Sequence, residues 1–163
     1  MLKYLDTKVV FAEVPDEITL AINISGCPCK CPDCHSKYLW EDIGNPLTID
    51  AVESLLRKNP GVTCVAFMGG DNEPEEVRKV ARLLSCNEEF TVKVAWYSGR
   101  TEVENPEILD ELDYIKLGPF IKEFGPLNSP TTNQKFYKIE HSDGINPKLT
   151  DITSVFWKNT TKQ

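Results

Sequence analysis

The sequence predicts an α/β fold, in which a mostly parallel sheet is flanked by helices. Apolar segments of strand character alternate with amphipathic helical segments along the chain, and a polar or glycine-rich turn follows most of the predicted strands. Parallel strands joined through helices have right-handed crossovers, so their carboxyl ends lie at one edge of the sheet. The length of 163 residues suits one domain over residues 1–163, with a frayed polar end at about 158–163.

The first predicted elements are a strand, a helix and a second strand. The segment EITLAINI has apolar side chains at every second position, which is typical of a strand. TIDAVESLLRK places its apolar side chains on one helical face, with Thr48 as the predicted N-cap. VTCVAFM is a short apolar run between turn signals, which favours a buried strand.

The second half of the chain continues the alternation. PEEVRKVARLL begins with Pro74, a residue favoured in the first turn of a helix, and has one apolar face. The elements that follow are predicted as a strand, a short helix and two further strands: TVKVAWY, PEILDEL, DYIKLG and KFYKIE.

The turns after the predicted strands carry the residues that favour a functional site. In chain order these turns are SGCPCKCPDCH, GGDNEP, YSGRTE and GPF. Since α/β folds bind ligands at the carboxyl ends of their parallel strands, we expect these turns to gather at one edge. Gly69, Gly70 and Asp71 should then face the clustered cysteines across a cleft, and Ser98 should lie in the same cleft.

Composition and charge narrow the class of protein. The net charge is −7, which argues against a broad phosphate-binding face, so we expect no nucleic-acid partner. No apolar run approaches the roughly 20 residues that span a bilayer, so no membrane partner is expected. Charged residues interrupt the apolar amino-terminal stretch, unlike a secretory signal. We expect a cytoplasmic protein whose cysteines stay reduced.

Four of the six cysteines are clustered, at Cys27, Cys29, Cys31 and Cys34. A structural zinc site needs four ligands, usually as two separated pairs, and His35 could complete such a set. A C-x-x-C redox pair would use Cys31 and Cys34 and leave the other two unexplained. An iron–sulfur cluster fits Cys27, Cys31 and Cys34, spaced C-x3-C-x2-C, and three ligands for four irons would leave one iron open. The residues alone leave all three interpretations open.

The segment NISGCPCKCPDCHSKYLW, which ends at Trp40, resembles the anaerobic ribonucleoside-triphosphate reductase-activating proteins of the radical S-adenosylmethionine (SAM) superfamily. The resemblance extends roughly from Ile18 to Ile139. This sequence departs from the family's usual pattern at three positions: Cys29, where a non-cysteine residue is usual, Asp33, where glycine is common, and Leu117, where many members have aspartate. The other stretches that carry it are FMGGDNEP, WYSGRTEVE, IKLGPFIKE and TTNQKFYKI.

This resemblance implies an open partial (β/α) barrel and a defined chemistry. Cys27, Cys31 and Cys34 would bind a [4Fe-4S] cluster, and SAM would chelate the open iron. One electron, from a donor such as flavodoxin or ferredoxin, would cleave SAM to methionine and a 5′-deoxyadenosyl radical. That radical would take a hydrogen atom from a glycine of the partner, the anaerobic ribonucleoside-triphosphate reductase. No side chain is expected to be catalytic beyond the cluster and SAM.

The resemblance also implies which residues contact SAM near the cluster. Asp33 and His35 flank Cys34, so their backbone is expected near the SAM adenine. Cys29 is expected close to the cluster without binding it, because a fourth thiolate would close the open iron. A loop that wraps a cluster must also curl, which takes Cys29 out of line with Cys27 and Cys31.

Two turns farther along the chain would complete the SAM site. Gly69 and Gly70 would let the backbone approach the methionine end of SAM without a side chain in the way. Asp71 would hold that turn or the SAM amine. Ser98 would bond the SAM carboxylate or ribose, or serve as a plain turn residue.

Other functions and other residues have simpler interpretations. The alternatives to the reductase activase are another small radical SAM enzyme, of the deazaguanine-synthase or glycyl-radical-activase type, and a zinc-stapled binding module. Cys64 is expected to be a small buried hydrophobe, Cys86 a helix-end residue and His141 a solvated turn residue. Trp96 is expected in the core or on a partner surface.

Overall fold

The computed structural model describes residues 2–26, 43–142 and 145–157. Within these ranges the fold is mixed α/β, with one eight-stranded mixed sheet in the order β3-β1-β2-β4-β5-β6-β7-β8. The strands are β1 (Lys3–Val10), β2 (Thr19–Ile24), β3 (Asn45–Pro46), β4 (Cys64–Met68), β5 (Lys93–Tyr97), β6 (Tyr114–Leu117), β7 (Lys135–Ser142) and β8 (Ile145–Asp151). The helices in these ranges are α1 (Ile49–Lys58) and α2 (Pro74–Ser85), with 3₁₀ helices at Pro106–Glu111 and Thr153–Phe156.

The centre of the sheet is parallel, and its flanks are antiparallel. Strands β2, β4, β5 and β6 pair in parallel, as the alternation of elements predicted, so their carboxyl ends share one edge. On one side β1 and β3 pair antiparallel, and on the other side β7 and β8 do so. The partial (β/α) barrel stays a prediction.

The cysteines follow the second strand of the sheet, not the first as the sequence suggested. Strand β1 precedes β2 and pairs with it along most of its length. A register shift between Tyr4 and Asp6 interrupts the alternation of faces along β1, and most of its side chains are only partly buried. Without a period-two pattern, the segment lacked the signal by which strands are recognised.

The helices lie on one face of the sheet and confirm the amphipathic patterns. Helix α1 begins after Thr48, whose Oγ1 accepts a hydrogen bond of 3.1 Å from the amide of Ala51. Helix α2 begins with Pro74, and the four apolar side chains that its pattern placed inward are buried. PEILDEL forms a 3₁₀ helix, whose Asn105 side chain accepts from the amide of Glu107.

The opposite face of the sheet has smaller side chains at its centre. Ala21, Ala66 and Ala95 are paired neighbours on three adjacent strands, and all three are buried. Tyr114 and Phe136 continue this second apolar cluster across the next strands. The helix-covered face instead carries large aliphatic and aromatic side chains.

Among the described residues, no helix has the length and apolar character needed to cross a bilayer. The carboxyl-terminal residues 158–163, for which we predicted fraying, lie outside the described ranges.

Candidate functional site

The predicted cluster ligands belong to the cysteine segment, which we define as residues 27–42. This segment lies outside the described residues, and with it lie the predicted sites Cys27, Cys29, Cys31, Asp33, Cys34 and His35. The structure describes the residues that flank it on both sides. Their contacts show where the segment leaves the sheet and where it returns.

The described residues on both sides of the cysteine segment lie beside β1. Ser25, which directly follows β2, donates its amide to the carbonyl of Lys3 at 3.0 Å. Gly44, two residues after the segment, has a φ of +120°, and a side chain there would collide with the carbonyl of Tyr4. The described residues that flank the segment therefore lie at the carboxyl end of β2 and against the neighbouring strand β1.

The glycine turn, residues 69–71, packs directly against the last residue of β2. A Cβ on Gly69 would lie 3.1 Å from the carbonyl oxygen of Ile24. The carbonyl of Gly69 accepts a hydrogen bond of 2.7 Å from the indole Nε1 of Trp96. The glycine turn thus lies against the end of β2, and its place opposite the cysteines stays a prediction.

Gly70 lacks a side chain, and this leaves room for α2 to pack closely. The φ of Gly70 is +93°, and a Cβ there would lie 2.6 Å from Cγ2 of Val77 and 3.4 Å from Cδ1 of Ile24. Glycine is therefore required by the packing of α2 and by the backbone conformation. This cause differs from the room for SAM that the sequence suggested.

Asp71 and Ser98 bind each other across the ends of β4 and β5. The buried hydroxyl of Ser98 donates to Oδ1 of Asp71 at 2.5 Å, and the amide of Gly99 donates to Oδ2 at 2.9 Å. The amide of Arg100 donates to Oγ of Ser98 at 3.1 Å. The geometry thus gives Asp71 the first of its two predicted roles, which is to hold the turns together. The contacts of Ser98 are those of a structural turn residue, and its role toward SAM stays a prediction.

Lys116 is a charged residue at this edge that the sequence analysis missed. Its side chain is buried, and Nζ donates to the carbonyls of Ser98 at 3.0 Å and of Gly118 at 2.9 Å. The available signal was a lysine within the apolar strand YIKL, two positions after Tyr114 and so on the same face of the sheet. The next residue, Leu117, is buried in the helix-side cluster.

These contacts connect three successive turns into one network. The glycine turn is joined through Asp71 to the serine turn, residues 98–100, and the serine turn is joined through Lys116 to Gly118. The amide of Gly118 also donates to the carbonyl of Arg100 at 2.7 Å. A polar ligand at this edge would meet backbone groups that are fixed by buried side chains, with one carboxylate and one ammonium group beneath them.

Pockets open on either side of this network. One lies beside α2 and is lined by Asp71, Ser98 and residues of the chain from Arg100 to Asn105. The other lies across the sheet, beside Tyr97, and is lined mostly by apolar groups that include Leu127 and Phe156. The phenol of Tyr97 donates to the carbonyl of Glu13, which closes one end of this second pocket.

The remaining predicted residues lie away from this edge. Cys64 is buried, and burial raises the pKa of its thiol to about 12, so it behaves as the small hydrophobe that we expected. Cys86 is exposed at the end of α2, and Trp96 is in the core. The prediction for His141 was wrong in one respect: it lies in β7, where pairing with β8 extends the strand to Ser142. It is exposed, with Nε2 2.7 Å from the carbonyl of Leu112.

Comparison with known families identifies the part of the chain that carries this site. A family model described as "4Fe-4S single cluster domain" matches residues 18–137. The matched range includes β2, the cysteine segment and all three connected turns. Within the described ranges, no three His, Cys, Asp or Glu side chains are grouped closely enough to hold a metal ion. No curated protein and no solved structure matches the chain.

Proposed function

Because the chain belongs to the family of 4Fe-4S single cluster domains, we propose that it is a radical SAM activase that acts on the anaerobic ribonucleoside-triphosphate reductase. One structural observation carries the proposal most strongly. The glycine turn lies against Ile24, so a backbone of the kind that could receive SAM stands beside the start of the cysteine segment. Several of the stretches that carry the family resemblance also form the turns at this edge, which further supports the proposal.

The residues present fit the cluster and SAM. Cys27, Cys31 and Cys34 supply three thiolates, which leaves a [4Fe-4S] cluster with one iron for another ligand. Cys29 is the extra thiol, and we propose that it stays unbound to iron. Asp33 and His35 flank the third ligand and would contribute backbone contacts to the adenine.

The described residues provide fixed polar groups for the remainder of SAM. The glycine turn is held by Trp96 at the carbonyl of Gly69 and by Asp71 at the serine turn. The Ser98 side chain and the amides of Gly99 and Arg100 are bound within the network, which fixes the shape of the serine turn. Because these polar groups are already fixed, they can orient a cofactor without having to rearrange during the reaction.

When bound, the cluster and SAM supply the chemistry: one electron cleaves SAM, and one hydrogen atom leaves a glycine of the partner, which gives methionine, 5′-deoxyadenosine and a glycyl radical. A low-potential donor such as flavodoxin or ferredoxin would provide the electron. The protein's own contribution is to bind and orient SAM and to keep other hydrogen donors away from it.

The direct test combines this protein, SAM and a reductant with the candidate reductase in the absence of oxygen. Electron paramagnetic resonance should detect a glycyl radical on the reductase, and chromatography should detect methionine and 5′-deoxyadenosine. A reaction without SAM, and one with a reductase whose radical-site glycine is replaced by alanine, serve as controls. Both controls should lack the radical.

The outcomes distinguish the alternatives. Cleavage of SAM without a glycyl radical would identify a radical SAM enzyme with another substrate, such as a deazaguanine-type synthase. Protein that binds zinc and no iron after anaerobic reconstitution would identify a zinc-stapled module and contradict the proposal.

A further inference from the structure

We propose that Lys116 is a positioning residue of this site, which fixes the serine turn and Gly118 relative to each other. The inference rests on the proposed function, since it explains how the groups that would receive SAM are held in place. The relevant atoms are the ammonium nitrogen of Lys116 and the carbonyl oxygens of Ser98 and Gly118.

Lys116 binds both backbone polar atoms of Ser98. The amide of Ser98 donates to the carbonyl of Lys116 at 2.9 Å, and Nζ of Lys116 donates to the carbonyl of Ser98 at 3.0 Å. Main chain and side chain of one residue thus hold Ser98 from both sides. A rotation of the peptide that follows Ser98 would break the bond to Nζ.

The same ammonium group extends this hold to the next turn. Nζ lies 2.9 Å from the carbonyl oxygen of Gly118. That oxygen also accepts from the side-chain amide of Gln134 at 3.5 Å, and a Cβ on Gly118 would lie 3.2 Å from Cα of Gln134. The ends of β5 and β6 therefore meet at a single cation, and Gln134, just before β7, binds the Gly118 carbonyl that this cation holds.

Stability alone does not account for a lysine at this position. The side chain is 9% exposed, and removing an ammonium group from water costs several kcal/mol even after the protein relaxes around it. Nζ is 5.7 Å from the centroid of the Tyr97 ring, which packs against the apolar cluster that contains Tyr114. An apolar side chain of similar shape would occupy this position without the cost of removing a charge from water, but it would not bind the carbonyls of Ser98 and Gly118.

Lys116 lies some distance from the start of the cysteine segment. Two strands separate β6 from β2 in the sheet, so these strands are about 14 Å apart at spacings of about 4.8 Å. We therefore expect a substitution at Lys116 to leave the iron content unchanged and to act on the affinity for SAM.

The test compares Lys116→Met, Lys116→Arg and the control Lys138→Met in anaerobically reconstituted protein. Lys138 lies opposite Tyr114 on the adjacent strand, and it is exposed. Iron content, the dissociation constant for SAM by calorimetry, and hydrogen exchange at the amides of residues 98–100 are measured for each protein. Hydrogen exchange and iron content do not depend on turnover.

We expect Lys116→Met to retain its iron, to exchange the amides of the serine turn at least tenfold faster, and to bind SAM at least tenfold more weakly. Lys116→Arg should recover part of both losses, and Lys138→Met should match the wild type. If Lys116→Met does not fold, Lys116→Gln, which removes the charge and keeps a polar group on a shorter side chain, is used with the same criteria.

Two results would overturn the inference. Unchanged exchange would mean that Lys116 does not hold the turn, and faster exchange with unchanged SAM affinity would mean that its role is structural only. A wild-type protein that binds iron and does not bind SAM would instead refute the proposed function, whatever the exchange data show for the serine turn.

Discussion

The two edges of the parallel strands are both held together by polar side chains, yet their cations differ in burial. At the amino edge, Glu17 accepts bonds from the hydroxyl of Thr63 at 2.5 Å and from Nζ of Lys93 at 3.0 Å. The Glu17 side chain is 9% exposed, but the Lys93 side chain is 50% exposed. At the carboxyl edge, Asp71 is 3% exposed and Lys116 is 9% exposed. Exposed ion pairs stabilise little, while buried charges require full satisfaction of their hydrogen bonds. The difference indicates that the carboxyl edge is organised for fixed geometry.

The largest expected difference between the edges concerns two glycines. Gly70 at the carboxyl edge and Gly61 before β4 have φ values of +93° and +94°, but a Cβ on Gly61 would meet nothing within 4 Å. Gly70→Ala should therefore destabilise the protein by about 3 kcal/mol, from backbone strain and from overpacking against Val77. Gly61→Ala should cost about 1 kcal/mol, from backbone strain alone.

Urea unfolding followed by circular dichroism measures both variants under the same conditions. Equal losses for Gly61→Ala and Gly70→Ala would show that packing against α2 adds nothing, and the description of the glycine turn as tightly packed would be wrong.

The second difference concerns two aspartates that accept backbone hydrogen bonds. Asp71→Asn replaces an oxygen that accepts a hydrogen bond from Ser98 or Gly99 with an NH2 group, which cannot accept one, so we expect a loss of about 2 kcal/mol. Asp113 at the amino edge accepts from the amide of Val94 at 2.9 Å and is only partly buried. Asp113→Asn should therefore cost less than about 1 kcal/mol.

The two aspartate variants also differ in their expected effect on function. Asp71→Asn should weaken SAM binding because the serine turn loosens, while Asp113→Asn should bind SAM as the wild type does. Calorimetric titration with SAM compares them, and weaker binding by Asp113→Asn alone would reverse the assignment of the functional edge.

The smallest expected effect is that of Lys93 at the amino edge. The hydrogen bond from Lys93 to Glu17 raises the pKa of the Lys93 ammonium group. A group whose pKa is higher in the folded state contributes stability below its unfolded pKa, near 10.4, and loses that contribution as the pH rises through the folded value. Because Lys93 is half exposed, Lys93→Met should cost less than about 1 kcal/mol at pH 7.

The pH dependence isolates this contribution. The free energies of unfolding of Lys93→Met and of the wild type, measured from pH 7 to pH 12, should begin to converge above about pH 10.4 and should become equal only above the raised pKa of Lys93. A difference that stays unchanged up to pH 12 would show that Lys93 acts through packing. Burial raises the pKa of the Tyr114 phenol and the charge of Lys93 lowers it, so Lys93→Met also changes the titration of Tyr114. Both proteins are therefore compared in a Tyr114→Phe background.

The sequence predicted the parallel centre of the sheet because its signals are local. Thr48 as the N-cap, Pro74 in the first turn and the buried face of α2 each follow from spacing within one turn or one helix. The grouping of the glycine and serine turns followed from the rule that parallel strands end at one edge. These predictions needed no knowledge of long-range contacts.

The features that the sequence analysis did not predict depend on contacts between distant residues. The bulge in β1 and the extension of β7 by pairing with β8 arise from neighbouring strands, so no local pattern marks them. The roles of Trp96 and Lys116 likewise appear only when their bonds to Gly69 and Ser98 are known. The packing of Gly70 against Val77 is a third contact of this kind.

The most direct test of the account is a comparison of the four clustered cysteines. Each of Cys27, Cys29, Cys31 and Cys34 is replaced by serine, and iron content, sulfide content and reductive SAM cleavage are measured without oxygen. We predict about four irons and four sulfides with SAM cleavage for the wild type and for Cys29→Ser. The other three variants should lose SAM cleavage and most of their iron. If Cys29→Ser is damaged as severely as the others, four thiolates bind the metal, no iron is open to SAM, and the radical SAM assignment fails.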